Sequence, residues 1–176
     1  LARGVRTASD FLMALQLTGA ALADSIANMQ VRLPVVVIGG GLTAIDTATE
    51  ALAYYAVQVE KFLARAEVLG LPGFLGNLTA EDREVADEFI AHARALREER
   101  AAAGSQLRAP REMELLREWG GSTIVYRKRL IDAPAYTLNH EEVELALQEG
   151  IVFAECLNPS AVRVDRFGAA QALDAP

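Results

Sequence analysis

The chain has 176 residues, of which 52% are hydrophobic and 23% charged, so it is long enough to bury a core and is not compositionally disordered. Its 24 acidic and 17 basic residues give a formal charge of −7, which argues against a nucleic-acid partner bound by bulk charge. The single cysteine, Cys156, excludes an internal disulfide and argues against a cysteine-based metal site. The chain has two histidines, His92 and His140, which is too few to favour a histidine-rich metal site.

Residues 1–34 are predicted to form a lead-in with one helix, from about Ser9 to Ala27. The predicted buried side of this helix consists of Phe11, Leu12, Leu15, Leu22 and Ile26. The same stretch imitates a signal peptide, because arginines precede an apolar run, but the internal Asp10 favours a helix of the folded protein. No run reaches transmembrane length. We therefore expect a cytoplasmic protein with no membrane partner.

A buried strand is predicted at residues 33–38, where Leu-Pro-Val-Val-Val-Ile is apolar at every position. Such a run is typical of a strand covered on both faces in a parallel sheet. Gly39, Gly40 and Gly41 end it, and a helix follows from about Thr43 through Leu69. The strand and helix begin a predicted nucleotide-binding domain that spans residues 35–176.

The next predicted strand, residues 122–126, begins about eighty residues after the glycines, whereas a plain βαβ unit needs about thirty. Residues 57–118 therefore contain a helical insertion of some fifty residues. Within it, glycines and Pro72 break the chain near 70–77, a helix runs from about Ala80 to Ala103, and a short helix ends at Trp119.

The C-terminal part is predicted to contain a helix from Asn139 to Glu149 and a strand at 151–155. Two shorter strands, 161–164 and 169–173, are joined by a turn. Alternating strands and helices imply parallel strands joined by right-handed crossovers. The predicted fold class is α/β: a Rossmann-like three-layer βαβαβ parallel sheet with a small antiparallel β-ribbon and a helical insertion.

The glycines match the Gly-x-Gly-x-x-Ala form of the dinucleotide-binding fingerprint, from Gly39 to Ala44. Gly39 allows the tight turn, Gly41 lets a pyrophosphate approach the backbone, and Ala44 is small enough for close helix–strand packing. Leu42 and Thr43 open the helix, whose free N–H groups and dipole favour phosphate. Because the motif follows a strand and opens a helix, its context supports dinucleotide binding.

Three cations, Arg127, Lys128 and Arg129, stand at the end of the second predicted strand. A Rossmann site meets the adenosine ribose there, and cations suit a 2′-phosphate, so we expect NADPH rather than NADH. Glu60 lies near the spacing at which a ribose-binding acid is expected, but its neighbours have helical periodicity and we reject it for that role.

Other polar residues are given structural interpretations. Asp46 is predicted to lie in the first turn of its helix, where its negative charge complements the helix dipole. His140 is predicted to lie at the start of a helix whose first turn is acidic. His92 is predicted to be solvated in a charged helix, and Cys156 to be a small half-buried residue. We assign no catalytic residue.

Several motifs in order resemble one family. They are Thr7 to Leu12, Val36 to Asp46, Val125 to Arg129, Pro134-Ala135, Glu141 to Ala146, and Glu149 to Phe153. Together they are similar to the NADPH-binding domain of the glutamate synthase small subunit and of dihydropyrimidine dehydrogenase, in the FAD-dependent pyridine nucleotide-disulfide oxidoreductase superfamily. The resemblance covers about residues 4–56 and 122–173, and the helical insertion departs from it.

The resemblance implies that this domain is inserted into an FAD-binding domain of a parent enzyme, where NADPH delivers hydride to the flavin. It also implies a further partner, an iron–sulfur domain or subunit. Gly39, Gly41, Leu42 and Thr43 would cradle the pyrophosphate, and Arg127 and Lys128 would hold the 2′-phosphate, with Arg129 a weaker match. We expect a fragment of an oxidoreductase that does not bind FAD or react by itself.

Two alternatives remain open. The domain could serve inter-domain or subunit assembly, with a vestigial glycine loop and the insertion as docking surface. A different nucleotide-dependent enzyme, such as a methyltransferase, is disfavoured by the cations, because a ribose diol usually binds an acid at that position.

Overall fold

The computed structural model describes residues 2–176, and helices account for 55% of the chain. The helices are α1 (Ala8–Thr18), α2 (Leu42–Leu69), α3 (Leu71–Gly76), α4 (Ala80–Ser105), α5 (Glu112–Glu118) and α6 (Pro134–Gln148), and a 3₁₀ turn spans Leu130–Asp132. The strands are β1 (Val35–Ile38), β2 (Ser122–Val125), β3 (Val152–Ala154), β4 (Ala161–Val164) and β5 (Ala170–Asp174). The mixed α/β class is therefore confirmed.

The strands form two sheets. β1, β2 and β3 make a parallel sheet with β2 in the centre, and β4 pairs with β5 in an antiparallel ribbon. Val37 lies opposite Ile124, and Ile124 lies opposite Phe153. These side chains share one face of the sheet and pack into a core with α2 and α6.

The opposite face of the sheet is exposed along both edge strands, although Val125 of the central strand is 6% exposed, and this exposure corrects the predicted third layer. Val36, Ile38 and Val152 on that face are 44%, 59% and 53% exposed, so β1 is not covered on both faces. The physical reason lies in the crossovers. Successive right-handed crossovers that advance in one direction across a sheet place their helices on the same face. The described residues thus form two layers at the sheet.

The insertion is part of the main core. α4 packs along α2, and its buried side includes Phe89, Ala93 and Leu96, which are 4%, 0% and 0% exposed. The α4 helix begins as predicted, because Thr79 Oγ1 accepts a hydrogen bond from Asp82 N at 3.1 Å. α3, which lies between α2 and α4, was not predicted, because its glycines and proline indicate a break.

Two helix boundaries also differ from prediction. α1 ends at Thr18 and not near Ala27, because Ala20 N donates to Leu15 O in the Schellman pattern that ends a helix. As a result Leu22 and Ile26 are 61% and 92% exposed, not buried. α6 begins at Pro134 and is kinked at Asn139, where φ is −149° and ψ is 67°.

The lead-in packs on α2 through a second apolar cluster. Phe11, Leu15 and Met29 are buried against Ala51 and Tyr54 of α2. The division of the chain at 34/35 stays a prediction.

Candidate functional site

The turn between β1 and α2 has the geometry that the fingerprint predicts. Gly39 has φ 154°, a conformation that side chains rarely adopt, and a Cβ on it would lie 3.4 Å from Ala44 Cβ. Ala44 itself is 6% exposed. A larger residue at position 44 would push α2 away from the strand, which is the packing role expected of the third fingerprint position.

Gly40 is held in a close contact that the sequence did not reveal. A Cβ on Gly40 would lie 2.5 Å from the ring of Tyr126, so only glycine fits without moving the ring. Gly40 O also accepts a hydrogen bond from Ala135 N at 3.0 Å. The end of β2 and the start of α6 therefore fix the glycine turn. The sequence feature related to this contact is the position of Tyr126 at the end of β2, directly before the three cations.

Gly41 and the start of α2 are open to a ligand. Gly41 is the N-cap residue of α2, no side chain caps the helix, and a Cβ on Gly41 would meet nothing within 4 Å. Thr43, in the first turn, is exposed, and its carbonyl accepts from Thr47 Oγ1 at 2.6 Å. The first-turn N–H groups and the positive end of the helix dipole thus face open space, which suits an anion.

The three cations follow β2 at the same carboxyl edge of the sheet. All three are exposed, but they are not equivalent. Arg129 Nε donates to Asp132 Oδ2 at 2.9 Å, and this hydrogen bond raises the pKa of Arg129 and lowers the pKa of Asp132. Arg127 and Lys128 form no ion pair within residues 2–176. They are the cations available to a ligand.

The backbone around these cations is fixed by the segment that follows β3. Tyr126 N donates to Ala154 O at 3.0 Å, and Cys156 N donates to Lys128 O at 3.1 Å. Cys156 is exposed and has φ 57°, which corrects the prediction that it is half-buried. The shallow cavity at this edge is lined by the glycine turn together with Tyr126, Leu130, Phe153 and Glu155.

His92 lies away from this edge and is not solvated as predicted. Its ring stacks on Trp119 at 3.8 Å, and Nδ1 lies 2.6 Å from Tyr55 Oη. Sequence periodicity placed His92 on the polar side of a charged helix, whereas the structure places it at the junction of α4 and α5. The ring is half-buried.

Within the described part of the chain, His, Cys, Asp and Glu side chains form no group of three or more that could hold a metal ion. Among the same residues, every helix is too short or too polar to cross a membrane.

The chain is similar to one uncharacterized curated protein of Rickettsia prowazekii (strain Madrid E), with 44% identity over 173 residues. The match covers 98% of this chain but 22% of the relative, so the chain spans about a fifth of the length of that protein. No protein-family model matches the chain.

Proposed function

We propose that the chain is the NADPH-binding domain of a flavin-dependent oxidoreductase, with a Rossmann-like fold. One observation carries this proposal. An open glycine turn at a helix N-terminus lies at the same carboxyl edge of a parallel sheet as two cations that form no ion pair with residues 2–176. The βαβαβ order of the described sheet corresponds to one of the two halves of a doubly wound α/β fold, and dinucleotides bind at the carboxyl edge of such halves.

The available groups suit the two charged parts of NADPH. The open space at Gly41 would admit the pyrophosphate, and the N–H groups of Leu42 and Thr43 would donate to it. Arg127 and Lys128 would hold the 2′-phosphate, because a guanidinium donates in a fork and an ammonium adds a point charge. Arg129 is a weaker candidate, since Asp132 already neutralises it.

When bound, NADPH supplies a hydride, and the proposed acceptor is an FAD held by a further domain of the parent enzyme. The residues of this chain would bind and orient the nucleotide. An iron–sulfur domain or subunit would receive electrons from the flavin. The coverage of 22% of the relative is compatible with such additional domains.

The proposal is tested by titrating the protein with NADPH and NADH in a calorimeter. We expect NADPH to bind more tightly than NADH, because only NADPH carries the 2′-phosphate. The Arg127→Ala/Lys128→Ala variant should lose most of this preference, a change of about tenfold or more for two charge-assisted contacts. The titration should extend to millimolar ligand, so that weak binding is also detected.

The matched control is Arg94→Ala, which removes an exposed arginine from α4 and should leave both affinities unchanged. Absence of NADPH binding, or an unchanged preference in the double variant, would contradict the proposal.

The alternative is a domain that acts in assembly, and the open face of the sheet favours it. Val36 and Ile38 of β1 and Val152 of β3 are exposed apolar side chains on the two edge strands of the sheet, one on each side of β2. This surface, and not the insertion, is the better docking candidate, because α4 is committed to the core. An assembly role predicts self-association or partner binding through this face without affinity for nucleotide.

A further inference from the structure

A second cavity lies within the helical insertion, away from the glycine turn. Its volume is about 280 Å³, close to the lower end of the range for small-molecule sites. It is bounded by α2, α3, α4 and the segment around Met29. Phe62 in its wall is twenty residues along α2 from Leu42, or about 30 Å along the helix axis. The cavity is therefore separate from the proposed nucleotide site.

The walls of this cavity are aromatic and apolar. Phe62 meets Phe74 edge to face with ring centroids 5.7 Å apart, and it meets Phe89 in the same way at 5.6 Å. Leu78 and Val85 complete the apolar surface. Such edge-to-face clusters present ring edges and faces to a further flat ring. An apolar cavity of about 150 Å³ already holds one benzene, so this one has room for a two-ring group.

The polar residues at the cavity differ in how far their hydrogen-bonding groups are already paired within the protein. Gln58 is buried and already paired through both its oxygen and its nitrogen, because its carboxamide accepts from Val31 N and donates to Val31 O at 2.8 Å. Asp82 is exposed at the rim, and among the described residues its carboxylate bonds only the Thr79 hydroxyl, through Oδ2 at 2.7 Å. Asp82 is the one charged side chain among the described residues that line the cavity. Its free oxygen favours a positively charged group.

We propose that this cavity binds a planar aromatic compound of indole size that carries a positively charged amino group. The ring packs on the aromatic wall formed by Phe62, Phe74 and Phe89, and the ammonium group lies at the rim beside Asp82. This inference does not depend on the proposed nucleotide function.

The test uses three probes with the same ring and different heads: tryptamine, indole and indole-3-acetate. Binding to the full chain is followed by ¹H–¹⁵N NMR through the side-chain NH₂ of Gln58 and the amide of Met29. We expect tryptamine to bind more tightly than indole by up to about fivefold, the value of an exposed charge pair, and indole-3-acetate to bind most weakly. Asp82→Asn should remove the difference between tryptamine and indole.

A second set of variants tests the location. Ala86 lines the cavity and is 1% exposed, so Ala86→Leu should fill part of it and abolish binding. Ala91→Leu adds the same volume to the exposed side of α4 and should leave binding intact. Leu78→Phe, at a half-buried wall position, provides an independent filling variant if Ala86→Leu does not fold. Absence of binding by every probe, equal binding of all three, or retained binding in the folded filling variant would overturn the proposal.

Discussion

At the scale of single residues, His92 lies in the highly charged helix α4, but its partial burial gives it a packing and hydrogen-bonding role. Its ring lies parallel to Trp119, with 7° between the planes. Burial strongly raises the pKa of Tyr55, with Glu88 adding to the effect, so the Tyr55 hydroxyl keeps its proton. This hydroxyl and His92 Nδ1 share a hydrogen bond of 2.6 Å, in which the tautomer of the neutral imidazole sets the donor.

This arrangement predicts a pH dependence of stability. Burial lowers the pKa of His92 below 6.5, the value of an unperturbed histidine, and Glu88 opposes the shift only in part. The unfolded chain then binds a proton at a higher pH than the folded protein does. The stabilising contribution of the neutral His92 to the free energy of unfolding should be complete above pH 6.5. It should fall as the pH drops from 6.5 through the folded-state pKa of His92.

The measurement is urea unfolding at a series of pH values, with the His92 pKa followed by NMR. His92→Gln, which keeps a hydrogen-bonding side chain but does not titrate, should remove this part of the pH dependence. The exposed His140 offers the control, since His140→Gln should leave it in place. A folded-state pKa of His92 at or above 6.5 would refute the assignment.

At the scale of elements, α2 carries a stripe of four polar side chains that holds the lead-in in place. Tyr54, Gln58, Lys61 and Arg65 follow the spacing of one helix face. Tyr54 Oη accepts from Met29 N at 2.8 Å, and Lys61 Nζ donates to Ala20 O at 2.7 Å.

The position of Lys61 illustrates the role of this stripe. Burial, followed by the charge of Arg65, lowers the pKa of Lys61. Lys61 Nζ also donates to Ala27 O at 3.2 Å. The stripe thus supplies the backbone of an irregular segment with the hydrogen bonds that a helix or sheet would otherwise provide.

Gln58 is the clearest test of this stripe, because it is 3% exposed and bonds both polar groups of Val31. Gln58→Leu should lower the free energy of unfolding by about 2–4 kcal/mol, since two buried backbone groups lose their partners. Hydrogen exchange of the Val31 amide should accelerate at the same time.

Gln148→Leu, at an exposed position of α6, is the control and should change the free energy of unfolding by no more than about 0.5 kcal/mol. Unchanged exchange at Val31 in Gln58→Leu would show that the stripe does not hold the lead-in.

At the scale of the whole molecule, the sequence predicted well what local pattern determines. The glycine turn, the order of the strands and of the longer helices, and the ribbon followed from residue types and spacing, as with Ala44 packing behind Gly39, whereas the short helix α3 did not. Contacts between distant segments were not predictable in this way. The stack of His92 on Trp119 and the contact of Tyr126 with Gly40 depend on how α4, α5 and β2 come together. The exposure of Val36 depends on which face the crossovers cover.

One such long-range feature is an acidic row on α4, which consists of Glu81, Glu84 and Glu88. It receives arginines from three separate parts of the chain. Arg3 pairs with Glu81 at 2.7 Å, Arg32 pairs with Glu88 at 2.5 Å, and Arg166 pairs with Glu84. The row therefore joins the lead-in and the β-ribbon to the insertion.

Neutralising this acidic row should loosen the ribbon without unfolding the core. Each pair is exposed and contributes at most about 1 kcal/mol, but the three act on neighbouring segments. In Glu81→Gln/Glu84→Gln/Glu88→Gln we expect faster hydrogen exchange at Ala170, whose N–H donates to Arg3 O at 2.8 Å. Exchange in the buried β2 should be unchanged, because its protection depends on opening the core.

Salt at 0.5 M, at which the Debye length falls to about 4 Å, should reproduce the effect in the natural sequence. Asp87→Asn removes a carboxylate of the same helix whose one ion pair within residues 2–176 is with Arg83, at 2.9 Å within α4, and it should leave exchange at Ala170 unaltered. Equal acceleration in Asp87→Asn would mean that the total charge of α4, and not the pairing of its acidic row with the three arginines, holds the ribbon.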